Sequence, residues 1–146
     1  MAANTAPIFT RTPDYQWGAT DGNGGAAGPL LTANTAKDGT GTVLTVFTAD
    51  ATEGGFVQSV TFRAAGTNTA TVARVFVNNG STNATIANNC PIAEITLAAT
   101  TLSEVAALAT YEVPLNRALP AGYKINVTLG TTVAAGYFVS CVGGKY

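Results

Sequence analysis

The chain has 146 residues, seven basic and eight acidic side chains, and a net charge of −1. That is one domain by length, with no basic stripe or acidic run, so the electrostatic footprint of a nucleic-acid binder is missing. It contains no histidine, which removes Ser-His-Asp and Cys-His catalysis, and two cysteines alone fall short of a zinc set.

Charged residues make up 10% of the chain, against about 25% in typical globular domains. Thr and Asn must carry its solubility, or partners must cover much of its surface. At the N-terminus, "MAANTAPIFTRTPDY" lacks a basic region followed by an apolar stretch, so it does not read as a signal peptide. No apolar run approaches the ~18 residues of a membrane span. The expectation is a protein made in a reducing cytoplasm, with no membrane partner. Cys90 and Cys141 are then expected to be small buried hydrophobes rather than a disulfide.

Residues 1–29 read as an arm followed by a Gly-rich loop. Ile8, Phe9, Tyr15 and Trp17 are its sticky residues, expected to lie against a neighbouring subunit or against the domain itself. The loop holds "DGNGG", which begins like a calcium loop. Ala26 and Thr32 stand where that pattern needs Gly and Glu, so no calcium is expected there.

"KDGTGTVLT", Lys37 to Thr45, lies close to the aspartyl-phosphate motif of ion pumps. That chemistry needs a hydrophobic parallel strand ending at the Asp and a later Asp for magnesium. The residues before Asp38 are polar, and every Asp lies at or before Asp50. Asp-Gly is strong turn chemistry, so the stretch reads as a turn leading into a strand. No Gly-Lys-Ser/Thr follows, so it is no phosphate loop either.

From 42 onward the texture is that of strands: residues 42–49, 55–65, 69–79, 91–98, 110–119, 122–130 and 136–144. In the second, Phe56, Val60 and Phe62 are expected on one face, with Ser59, Thr61 and Arg63 on the other. In the sixth, Tyr123, Ile125, Val127 and Leu129 should face inward and Lys124, Asn126 and Thr128 outward. Pro114 suits an edge strand or a bulge. "TLSE", Thr101 to Glu104, has capping-box form before "VAALA" and reads as a helical turn or a loop.

Seven strands, or eight with the arm, separated by short turns and lacking long helical patterns, define an all-β class. The expectation is an antiparallel β-sandwich or jelly roll of about eight strands over residues 30–146, with an extended N-terminal arm. Other constellations carry little. Glu94 and Glu112 are a chance pair of carboxylates. The sequons at Asn79, Asn83 and Asn126 follow from composition. Tyr15 with Trp17, or Tyr137 with Phe138, would make a sugar-stacking platform, though core or interface roles suit them better.

The runs "LTANTAKDGTGTVLTVFTA", "ATVARVFVNNGSTN", "EITLAATTLSE" and "LNRALPAGYKINVTLGTTVAAGYFVSCVGGKY" resemble small structural proteins of tailed phages, over about Leu30 to Tyr146. The resemblance implies a non-enzymatic capsid decoration (cement) protein without cofactors or catalytic residues. It implies a homo-oligomer, commonly a trimer, seated on the outer face of the major capsid protein shell. Localisation would be the virion surface after synthesis in the host cytoplasm. On that reading residues 2–17 are the arm that binds the capsid or a neighbour, removable without unfolding the domain. A head-fibre or tail-associated receptor binder, with its ligand site in the loop from Asn79 to Asn89, is the alternative. So is a carbohydrate-binding β-sandwich module.

Overall fold

The computed structural model describes residues 10–17 and 28–146, and for 14–17 the backbone. Among them run eight strands: β1 (Thr12–Trp17), β2 (Leu44–Thr48), β3 (Gly55–Ala64), β4 (Thr71–Asn78), β5 (Asn89–Leu97), β6 (Thr110–Leu119), β7 (Lys124–Leu129) and β8 (Tyr137–Lys145). A single 3-10 turn, Ile86–Asn88, precedes β5. One sheet has the order β1-β8-β3-β6 and the other β2-β7-β4-β5, with every pairing between neighbouring strands antiparallel.

These orders define a jelly roll. The pairs β1/β8, β2/β7, β3/β6 and β4/β5 are the rungs of one long hairpin, and they alternate between the two sheets. The all-β expectation holds. The eighth strand comes from the segment read as an arm, since Thr12–Trp17 pairs along β8 from Thr12↔Lys145 to Trp17↔Ser140.

The core lies between the sheets. Phe47, Val57, Phe62, Val75, Ile125 and Tyr137 are among its fully buried side chains. β-Branched and aromatic residues dominate these positions because they pack on a pleated surface with little rotamer freedom to lose.

Two expectations are corrected, one about facing and one about exposure. Phe56 does not share the core face with Val60. The register shifts between Val57 and Ser59 against both neighbouring strands, and the extra residue reverses parity, so Val57 is buried. The partner strand bends at the same place, where Asn116 has φ 48° two residues after Pro114. Pro114 sits on edge strand β6, where a missing N–H breaks no central ladder.

The second correction concerns β7, where Asn126 and Thr128 are buried along with the expected apolar residues. β7 is an interior strand, and the Thr45 hydroxyl of neighbouring β2 donates to Asn126 Oδ1 at 2.8 Å. The same outer face is roofed farther along by residues 34–42. Gly39, at φ 85°, packs directly on Phe76 and Asn89; a Cβ there would fall 2.8 Å from Asn89 Cβ. Phe76 is thereby buried on the side of the sheet away from the main core.

Residues 101–104 form a loop rather than a helical turn. Val105 is 97% exposed, so the segment offers no apolar face to pack, and one unpacked turn does not nucleate a helix.

Candidate interaction surfaces

The polar loops are stitched by asparagines. Asn34 Nδ2 donates to the carbonyls of Thr40 and Thr42, at 2.6 and 2.7 Å, and its Oδ1 accepts from Lys37 N–H. Asn83 Nδ2 donates to the carbonyls of Gly39 and Gly41. Asn78 and Asn89 pair at 2.9 Å, and Asn79 pairs with Asn88 at 3.0 Å. These amides tie the strap at 34–42 to the loop at 79–88.

Within the strap, Asp38 Oδ1 accepts from the Thr40 N–H and hydroxyl. Those hydrogen bonds hold its carboxyl below the ordinary value of 3.8. The expected turn is present, with Lys37, Gly39 and Gly41 all at positive φ.

The remaining sequence candidates separate. Glu94 on β5 lies 3.5 Å from Arg74, and Glu112 lies on β6 in the other sheet. Cys141 is buried in the core as expected, whereas Cys90 is exposed at the start of edge strand β5; they form no disulfide. Tyr137 is buried and Phe138 is exposed, because successive strand residues face opposite ways, so they form no common platform. Asn126 is buried, which removes it as a glycan acceptor. The "DGNGG" loop, Ile8 and Phe9 lie outside the described residues. Among the described residues no cluster of three or more His, Cys, Asp or Glu forms a metal site.

Two surfaces with exposed apolar residues emerge. The first is the outer face of the β1-β8-β3-β6 sheet. Phe138 is 52% and Val142 36% exposed, with Phe56, Thr61 and Ser140 partly exposed on the same sheet; the exposed Arg63 is the register partner of Phe138, and the exposed Glu112 that of Thr61. β1 borders this sheet, with Tyr15 and Trp17 the register partners of Val142 and Ser140. Period two in "GYFVSCVGG" already places Phe138, Ser140 and Val142 on one face and Tyr137 on the other.

The second surface is a groove of about 350 Å³ between edge strands β5 and β6, open to solvent. Val77, Ile92, Leu119, Pro120 and Tyr123 line it, with Cys90 and Arg117. No local pattern marks it, because its walls come from β4, β5, β6 and the turn that follows β6.

Compared with family models, curated proteins and solved structures, the chain has no match.

Proposed function

We propose that the protein is a non-enzymatic structural component of a tailed-phage virion. On this reading it decorates the capsid, binding the outer face of the major capsid protein shell as a trimer and bracing the head. The observation that carries the reading is the outer face of the β1-β8-β3-β6 sheet, where Phe138 and Val142 are exposed with two opposite charges, Arg63 beside Phe138 and Glu112 beside Thr61. Such a face buries against protein at low desolvation cost, since few charges must be stripped of water. The resemblance of Leu30–Tyr146 to small phage structural proteins supplies the class of partner, and a rigid jelly roll suits a brace.

The rival readings draw less support. A ligand site in the loop from Asn79 to Asn89 would need available amides, yet Asn79, Asn83, Asn88 and Asn89 donate theirs within the protein. A carbohydrate module would use an aromatic platform, and Tyr137 and Phe138 point apart.

The test is co-sedimentation of the protein with purified capsids, alone and as Phe138→Asp/Val142→Asp. High-copy binding by the native protein, lost in a folded double variant, is the expected result. Full occupancy by the variant would remove this face from the interface. No binding by the native protein would sink the capsid reading and make glycan binding the next assay.

A further inference from the structure

Asn79 and Gly80 follow β4 and form a dipeptide with chemistry of its own. A backbone nitrogen that follows an asparagine can attack the side-chain amide carbon, and glycine at that place leaves ring closure unhindered because it has no Cβ. In this step the Gly80 nitrogen bonds to Asn79 Cγ, the Cγ–Nδ2 bond breaks, and ammonia leaves with the proton of the Gly80 N–H. Water then opens the cyclic imide at either carbonyl. The product is an acid at position 79, with the chain running through its α- or its β-carboxyl.

Both residues are exposed, and the turn depends on both. Gly80 has φ 89°, and a Cβ there would lie 2.8 Å from the Gly122 carbonyl oxygen. Asn79 Oδ1 accepts from the Ser81 N–H at 3.1 Å, and its Nδ2 donates to Asn88 Oδ1 at 3.0 Å. The reactive pair is therefore built into the loop.

The same loop restrains it. The Gly80 N–H donates to Asn78 Oδ1 at 2.9 Å, which stabilises the proton that the nucleophile must lose. Asn78 is 1% exposed and its Nδ2 is fixed on Asn89, so this acceptor is held in place. The Asn79 amide is held at both ends, and turning its carbon onto the Gly80 nitrogen breaks both hydrogen bonds. The Asn79 N–H also donates to the Asn88 carbonyl at 3.0 Å, which closes the loop through the backbone.

We propose that Asn79-Gly80 is a latent self-modification site, guarded by Asn78 and Asn88 while the loop at 79–88 is closed and converted with water once it opens. Conversion is one-way. A carboxylate has no N–H to give Asn88 Oδ1, so the tie to Asn88 is not remade. The loop so altered is the one that holds the strap at 34–42 through Asn83. This inference concerns the chain alone and stands whether or not it binds capsids.

Ageing the whole chain tests it. The native protein folded, the native protein unfolded in urea, Asn88→Ala and Asn88→Asp are incubated in one mildly alkaline buffer, with the fold of each variant checked by circular dichroism. Peptide mapping by mass spectrometry reads Asn79 separately from Asn23-Gly24, the other Asn-Gly step in the chain, which lies outside the described residues. Expected is conversion at Asn79 at least about tenfold slower in the folded native chain than in urea, since three hydrogen bonds must break first. Folded Asn88→Ala has lost one of the three and should convert about three to ten times faster than the native chain. Asn88→Asp loses the donation to the Thr82 carbonyl, as Asn88→Ala does, but keeps an oxygen for Asn79 Nδ2, so it should stay near the native rate. Conversion as fast in the folded native chain as in urea, no acceleration in folded Asn88→Ala, or equal acceleration in Asn88→Asp would each overturn the proposal.

Discussion

Asn68 holds Gly136 through both ends of its amide. Its Oδ1 accepts from the N–H groups of Ala135 and Gly136 at 2.8 Å, and its Nδ2 donates to the Gly136 carbonyl at 2.9 Å. Asn68 is 4% exposed, and its own backbone pairs with Thr100. One residue, through its side chain and its backbone, thus ties the β3–β4, β5–β6 and β7–β8 connections together at one end of the roll. Replacing it by Ala takes the acceptor from the buried Gly136 N–H and the partly buried Ala135 N–H, while the Gly136 carbonyl keeps its hydrogen bond from Ala65 N–H, at a cost of about 1–3 kcal/mol. Urea unfolding of Asn68→Ala should show a midpoint lowered accordingly, with unchanged slope. A loss below about 0.5 kcal/mol would show that water replaces the amide.

Asn34 plays the same part for the strap over Phe76. Asn34→Ala removes three hydrogen bonds within residues 34–42 and should cost about 1–2 kcal/mol. The larger effect is local. Amide hydrogen exchange should quicken across the strap and at Asn83, while the β3–β8 ladder keeps its protection. Uniform acceleration across both sheets would mean that strap and sandwich open as one unit.

Gly54 has φ 88°, and a Cβ there would lie 2.4 Å from the Leu119 carbonyl oxygen. Both terms penalise Gly54→Ala, with the left-handed conformation alone costing about 1–2 kcal/mol. Gly28 is the control, with nothing among the described residues within 4 Å of an added Cβ, and Gly28→Ala should fall within about 0.5 kcal/mol of the native chain. Thermal unfolding of the two variants should separate them clearly. Equal melting temperatures would contradict the close approach of Gly54 to Leu119.

Asp38 makes the strap sensitive to acid. Its folded carboxyl titrates below 3.8 because Thr40 donates two hydrogen bonds to the ionised form. The depressed value contributes stability that is complete above 3.8 and lost as pH falls through the folded value. A carboxyl carbon NMR titration should place Asp38 below the ordinary aspartate value of 3.8. Asp38→Asn should abolish the pH-dependent shift of the Thr40 amide; its persistence would assign that shift to another group.

Much of the fold is legible locally. Alternation with period two, β-branched residues and Gly, Asn and Asp turns mark seven strands between 42 and 145, because each signal depends on neighbours one or two residues away. Asp38-Gly39 is readable as a turn for the same reason, and Pro114 as an edge or bulge residue from its missing N–H.

What lies beyond that reach needed partners distant in the chain. Pairing decided that Thr12–Trp17 completes a sheet, since its hydrogen-bond partners lie at Ser140–Lys145. The bulge beside Val57 decided that Phe56 leaves the core, since one extra residue reverses a strand's faces. Cover decided that Asn126, Thr128 and Phe76 are buried, since polarity says nothing about whether a neighbouring strand or a strap lies above them. The groove between β5 and β6 belongs to the same class, because its walls exist only once the two sheets have closed on each other. Period and turn chemistry are properties of a segment, so the sequence by itself determined the strands; register, bulges and cover are properties of the packed whole, and only the tertiary structure decided them.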